Sequence, residues 1–212
     1  MKRKDQTILD LTKPLDSSLV NYTGEGYADP VFSCVEWSSV ANQGFRVSAL
    51  SLGTQTGTHI DAPAHFDVSG ECINVLPLEE LIGSYFLIDL PQDVSDHELE
   101  TICGAYNRQE ILFVRTPESG VTFLSRENLT ALLNLPVRLW VLAGEIKLAG
   151  GSPLEFHRTL ARCGKYLVED LNLESARKVR PGGEVIVLPL RLVGTSGAPC
   201  RIVIRQSVGI GD

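Results

Sequence analysis

No run of about twenty apolar residues occurs in the 212-residue chain, so no membrane-spanning helix is expected. Basic residues are in deficit: 19 Lys and Arg stand against 26 Asp and Glu, a formal net charge of -7. Nucleic acids and anionic membranes need clustered cations, so neither is expected as a partner. Cysteine is sparse and unordered. Cys34, Cys72, Cys103, Cys163 and Cys200 are odd in number and form no Cys-x-x-Cys pair. That argues against a disulfide frame or a structural zinc knuckle, and for reduced thiols in a cytoplasmic protein. The basic start, Met1 to Asp5, leads into no apolar h-region, so no signal peptide is expected. Repeats, low-complexity segments and linkers are also lacking. What remains, at 43% hydrophobic and 21% charged residues, is one soluble domain over residues 1–212, with residues 1–6 a disordered tail.

Short apolar runs alternate with short helical patterns. Strands are expected at 7–11, 32–37, 45–52, 85–90, 111–114, 137–143, 166–168, 185–188 and 201–205. Helices are expected around 78–81, over 96–103 after Ser95 or Asp96, and over 125–133 before Pro136. Residues 13–31 and 144–151 read as loops. The alternation indicates an α/β domain with hairpins mixed in, a mixed sheet or barrel flanked by short helices.

One stretch concentrates the chemistry: Gly53-Thr54-Gln55-Thr56-Gly57-Thr58-His59-Ile60-Asp61-Ala62-Pro63-Ala64-His65-Phe66. It follows the run at 45–52, read as a buried strand. If the chain stays extended, Gln55, Gly57, His59 and Asp61 share one face. Gly57 then leaves a gap through which a small ligand can reach the backbone. Two of the four histidines lie here. His97 sits in the first turn of a surface helix and carries no functional expectation.

A second group comes later. Ser152, Pro153 and Glu155 read as N-cap, first helical residue and capping-box partner of a helix ending at Cys163 and Gly164. Leu154, His157, Leu160 and Ala161 then share its core-facing stripe. Glu169 ends the next apolar strand, where a carboxylate is costly unless paired or bound to a metal. His59, Asp61, His157 and Glu169 together make a nitrogen–oxygen donor set suited to Zn2+ or Mn2+.

The string at 55–65 resembles the signature His-x-Gly-Thr-His-x-Asp-x-Pro-x-His of the cyclase-like metal hydrolases, the group that includes kynurenine formamidase and isatin hydrolase. Every fixed position matches except the first, where Gln55 stands for His. Further similarity covers residues 8–12, 115–117, 120–125, 188–190 and 197–201. Residues 144–147 depart from the Asp-x-x-Ser segment often found there. The resemblance implies a swivelling β/β/α fold and metal-assisted hydrolysis of a non-peptide C–N bond in an amide, lactam or related small molecule. It implies that His59, Asp61, His157 and Glu169 hold one divalent ion, with Gln55 a weak or substituted ligand and any second ion weak. It gives His65 the part of proton-transfer residue. Tyr22, Trp37 and Phe66 are candidates to line a substrate pocket. A homodimer or homotetramer is expected, with the loop from Leu15 to Phe32 covering a neighbouring site. A metal-dependent cyclase, dehydratase or lyase, and a non-catalytic binding protein with an altered site, remain open alternatives.

Overall fold

The computed structural model describes residues 6–24 and 26–207. Residues 1–5 of the expected tail lie outside the described residues, whereas Gln6 already opens the first strand. In chain order the strands begin with β1 (Gln6–Asp10), β2 (Thr23–Gly24), β3 (Tyr27–Ala28), β4 (Ser33–Ser38), β5 (Val47–Ser51), β6 (His59–Asp61) and β7 (Ile82–Asp89). They continue with β8 (Ile111–Arg115), β9 (Val121–Leu124), β10 (Leu139–Ala143), β11 (Glu145–Leu148), β12 (Tyr166–Glu169), β13 (Glu184–Pro189) and β14 (Gly197–Ser207). The helices are α1 (Val40–Gln43), α2 (Asp96–Gly104), α3 (Arg126–Leu133), α4 (Glu155–Arg162) and α5 (Leu173–Ala176).

Seven strands close into a barrel in the order β6-β14-β13-β7-β8-β10-β12, and β12 pairs back onto β6. Closure leaves no free edge within the ring. β1 adds an eighth strand by pairing antiparallel with residues 203–207 of β14. The run β7, β8, β10 and β12 is parallel, and its crossovers carry α2, α3 and α4. Side chains alternate across each strand. Ile60, Tyr85, Phe113, Val141, Tyr166, Val168 and Ile202 fill the interior. Leu112, Trp140, Leu142 and Leu167 face outward and pack with Leu99, Leu129, Phe156 and Leu160. Because both faces of the parallel run are covered, its sequences read as unbroken apolar stretches. The result is the expected single α/β domain: a mixed, barrel-like sheet with few, short helices.

Five local expectations fail for identifiable reasons. Within residues 13–31, read as a loop, β2 and β3 pair antiparallel as a short hairpin. Residues 145–148 are a strand rather than loop, because Gly144 lets the chain turn and β11 pairs parallel with β9. The helix after Ser152 begins at Glu155, with Leu154 as N-cap in the left-handed region at φ 60°. Only half of the capping box forms: the Ser152 N–H donates to Glu155 Oε2 at 2.9 Å. The run at 45–52 is not buried; among the described residues β5 pairs with β4 alone, and this hairpin is exposed on both faces. Finally, residues 53–58 do not continue as a strand. They turn, with Gly57 at φ 62°, and extended structure resumes only at His59.

Candidate metal centre

Period-two alternation places the donors. In β6, Ile60 points into the barrel, so His59 and Asp61 point out. In β12, Tyr166 and Val168 point in, so Leu167 and Glu169 point out. The two strands pair antiparallel with Glu169 opposite His59 and Leu167 opposite Asp61. Two carboxylates and one imidazole from distant parts of the sequence thus share one patch of the outer wall. α4 lies over that patch and delivers His157 from above, anchored by Phe156, Leu160 and Ala161, all buried.

The geometry is tight. Single ligand atoms of His59, Asp61 and Glu169 all lie within 4.8 Å of one another. Ligands held about 2.0–2.2 Å from one ion stand at most about twice that far apart, and the His59–Asp61 and His59–Glu169 separations fall within that reach. His59 Nε2 is 3.4 Å from Asp61 Oδ1 and 3.5 Å from Glu169 Oε1. His157 Nε2 is 3.1 Å from Glu169 Oε2. His59 Nδ1 donates to the Gly57 carbonyl at 2.7 Å, which turns the Nε2 edge of the ring toward the carboxylates. Nδ1 of His157 is buried without a hydrogen-bond partner among the described residues. His59 and Asp61 are each only 6% exposed. A buried carboxylate (Asp61) and a part-buried one (Glu169) this close repel one another unless a cation or a proton-bearing partner lies between them. The donor set therefore fits a divalent ion.

In the ion-free chain, protons do that work. Burial disfavours the charged His59 ring, but its bonds to Asp61 and Glu169 win and hold its pKa well above the usual value. His157 is raised likewise, burial opposing and Glu169 prevailing. Burial opposes the charged form of Glu169 too, yet the bonds from His157 and His59 hold its carboxyl well below the usual range. A divalent ion must displace these protons, so ion affinity is expected to rise with pH. The ion-free chain should show the opposite sign. A raised histidine pKa contributes stability that is full below the unfolded value of about 6.5 and is lost as pH rises through the folded value. Thermal melts between about pH 6 and 9 should thus fall with chelator and rise with excess Mn2+; parallel trends would refute this account.

The other expected residues are placed as follows. Gln55 reaches the patch from the turn, its Nε2 3.4 Å from Asp61 Oδ1. His65 is half-buried in a 3-10 turn at Pro63–His65, its ring 4.3 Å from that of Phe66. Phe66 in turn lies 5.7 Å from the His157 ring, so it walls the space between the two histidines. Tyr22 and Trp37 stand 49% and 76% exposed on the N-terminal loop and β4. Neither makes a ring contact or hydrogen bond to the cluster among the described residues. The gap assigned to Gly57 is closed: a Cβ there would come within 2.6 Å of Leu15 Cδ2, so the chain's own loop covers it.

Sequence reasoning passed over a supporting layer. Thr58, 2% exposed, accepts the Lys13 N–H at 2.9 Å and donates to the Asp170 carbonyl at 2.7 Å. Lys13 Nζ pairs with Asp170 Oδ1. Asp170 holds φ 57° directly after Glu169, and Thr58 and Lys13 restrain that conformation. The signal was available in Thr58, a fixed position of the motif, but its partners lie 45 and 112 residues away.

Comparison with known proteins agrees with this architecture. Residues 9–138 match the family model described as "Putative cyclase". Kynurenine formamidase of Geobacillus thermodenitrificans is 28% identical over 211 residues, covering 93% of this chain and 97% of that protein. Isatin hydrolase A from Labrenzia aggregata, solved with benzyl benzoate, superposes with a TM-score of 0.76 at 20% identity, over 94% of this chain and 93% of that one. A structure titled a predicted metal-dependent hydrolase, from Bacillus stearothermophilus, gives a TM-score of 0.71 at 22% identity, over 94% and 98%. With the motif, the barrel and the family match in agreement, the chain belongs to the cyclase-like metal-dependent hydrolase family.

Proposed function

We propose that this protein is a metal-dependent amidohydrolase that cleaves the C–N bond of a small aryl amide or lactam. The observation that carries the reading is the convergence of His59, Asp61 and Glu169 ligand atoms within 4.8 Å of one another. His59, Asp61, His157 and Glu169 would hold one divalent ion, Zn2+ or Mn2+; two carboxylates balance its charge. When bound, such an ion supplies a Lewis acid that acidifies water and polarises a carbonyl. The chain's own residues do the rest. The Gly57 carbonyl fixes the orientation of the His59 ring. The His65 imidazole takes a proton from the attacking water and returns it to the leaving nitrogen. Phe66 shields the imidazoles on one side, and Leu15 closes the turn at Gly57 against water. The substrate class follows the names of the relatives, a kynurenine formamidase and an isatin hydrolase.

The test is turnover of formylated arylamines and of isatin-type lactams in heavy-oxygen water. Hydrolysis places solvent oxygen in the product. Product lacking it would point to a cyclase or lyase, and a purified chain with no divalent ion would refute the metal reading.

The chain is also proposed to act as a homodimer. A two-stranded hairpin is marginal alone in water, yet β4 and β5 stand apart from the barrel. They expose Val35 (56%), Trp37 (76%), Phe45 (58%) and Leu50 (61%) on or beside the hairpin. An apolar surface of this kind marks an interaction site, and a two-fold dimer buries it on a second copy. Leu15 and Leu19 already sit on the chain's own Gly57, so the hairpin, rather than the whole of residues 15–32, is the arm that reaches across. Light scattering should give a dimer mass, and Trp37→Lys should shift it toward monomer. A native monomer with full activity would overturn the assembly.

A further inference from the structure

We propose that Glu71 is a positioning residue: its carboxylate, held by Arg138 and Tyr166, fixes the loop that carries His65 onto the strand that carries Glu169. The inference rests on the reading of His65 as the proton-transfer group, and it concerns what keeps that group in place beside the metal donors.

The loop leaves the barrel and returns to it at one point. The Ala62 N–H donates to the Ser196 carbonyl at 2.9 Å, and the Ile73 N–H to the Thr195 carbonyl at 3.1 Å. Residues 62–73 thus form a compact loop with adjacent ends, of the Ω type. Across its interior the Ala64 N–H donates to the Glu71 carbonyl at 3.0 Å. Gly70 permits that approach, since a Cβ there would stand 2.5 Å from the Pro63 carbonyl carbon. Wherever Glu71 is fixed, the residue before His65 is therefore fixed with it. Phe66 follows His65 and lines a narrow cleft with Asp61, His157 and Leu160.

The Glu71 side chain ties this loop to the barrel. Its Oε2 accepts from Arg138 Nη2 at 2.5 Å and from the Tyr166 hydroxyl at 3.1 Å. A guanidinium has no acceptor and an ionised carboxylate no donor, so the direction of the first bond is not open to reversal. Both partners are themselves held. Arg138 Nη1 donates to Glu80 Oε1 at 2.9 Å, and the guanidinium carbon lies 5.4 Å from the centroid of the Tyr166 ring. Tyr166 is fully buried, and burial together with Glu71 pushes its phenol pKa well up, so it stays a donor.

Tyr166 and Glu169 are the first and last residues of β12. Tyr166 points into the barrel and holds Glu71; Glu169 points out toward His59 and His157. One rigid strand thus sets the position of both the His65 loop and a metal donor. The Glu71 side chain is 55% exposed, and ion pairs in that setting add little to overall stability. A displacement of about 1 Å in a reacting group, however, can cost about 100-fold in rate. Loss of Glu71 is therefore expected to act on turnover far more than on folding.

The test compares Zn2+-loaded native protein with Glu71→Ala, Glu71→Gln, His65→Ala and the double variant Glu71→Ala/His65→Ala. Bound zinc, kcat and KM for a formylated arylamine, and the nuclear Overhauser contact between the Phe66 and His157 rings are measured on each. The ring contact needs no substrate. Glu71→Ala should keep its zinc and its KM, lose about 100-fold in kcat and lose the ring contact. Glu71→Gln, which still offers an acceptor to both donors, should restore the contact and most of the turnover. In the His65→Ala background, Glu71→Ala should lower kcat no further. Should Glu71→Ala fail to fold, Tyr166→Phe removes one donor with the ring intact and should weaken the contact and kcat in the same direction. Native kcat and an intact ring contact in Glu71→Ala would overturn the proposal. Loss of zinc, or a further fall in kcat in the double variant, would also overturn it by showing that Glu71 acts on something other than His65. Full turnover in His65→Ala would instead refute the proton-transfer reading, and the ring contact would still report whether Glu71 holds the loop.

Discussion

Glu169→Gln, an exchange of nearly equal volume, is expected to weaken divalent-ion binding by more than about 100-fold and to remove turnover with it. Even residues that merely orient a metal ligand cost roughly 10–100-fold when replaced, and Glu169 is placed to bind the ion directly. It is also the group on which the others converge: His59 Nε2 stands 3.5 Å from one of its oxygens and His157 Nε2 3.1 Å from the other. On the proposed donor set, losing its charge would leave Asp61 alone to balance a dication. Metal content after dialysis and a Mn2+ titration by calorimetry measure the effect. A folded Glu169→Gln protein that retains its ion at native affinity would remove Glu169 from the donor set.

His65→Ala is expected to behave in the opposite way, keeping the ion while losing on the order of 10²–10⁴ in turnover. His65 is half-buried behind Pro63, and its ring nitrogens make no hydrogen bond among the described residues. That leaves them free to exchange protons. Its ring meets that of Phe66, which neighbours His157, and it makes no hydrogen bond to Asp61 or Glu169 among the described residues, so its removal should leave both in place. Metal analysis alongside steady-state kinetics separates the outcomes. Joint loss of ion and activity would make His65 a ligand, and unchanged turnover would end its assignment to proton transfer.

The sequence by itself determined a good deal about this protein. The apolar runs at 85–90, 111–114 and 137–143 became the buried strands β7, β8 and β10, because a strand covered on both faces leaves little choice of residue. His59 and Asp61 could be assigned to one face, since two-residue spacing in a strand has a single geometric meaning. The costly carboxylate at the end of an apolar strand marked Glu169 in the same way. Local rules failed where a distant partner decided the outcome. Whether residues 145–148 form a strand depended on β9 being alongside. The run at 45–52 has the same alternation whether or not a second layer covers it, and only the fold shows that β5 pairs with β4 and, among the described residues, with no other strand. The turn at 53–58 was likewise not legible, because Leu15 and Gly197, which shape it, lie about 40 and 140 positions away in the chain. Above all, pattern alone could not say which edge of the Gln55 amide faces Asp61. A side-chain amide carries a donor and an acceptor of nearly equal size, and only the Asp61 carboxylate, which accepts and cannot donate, selects between them once the closed barrel brings it alongside.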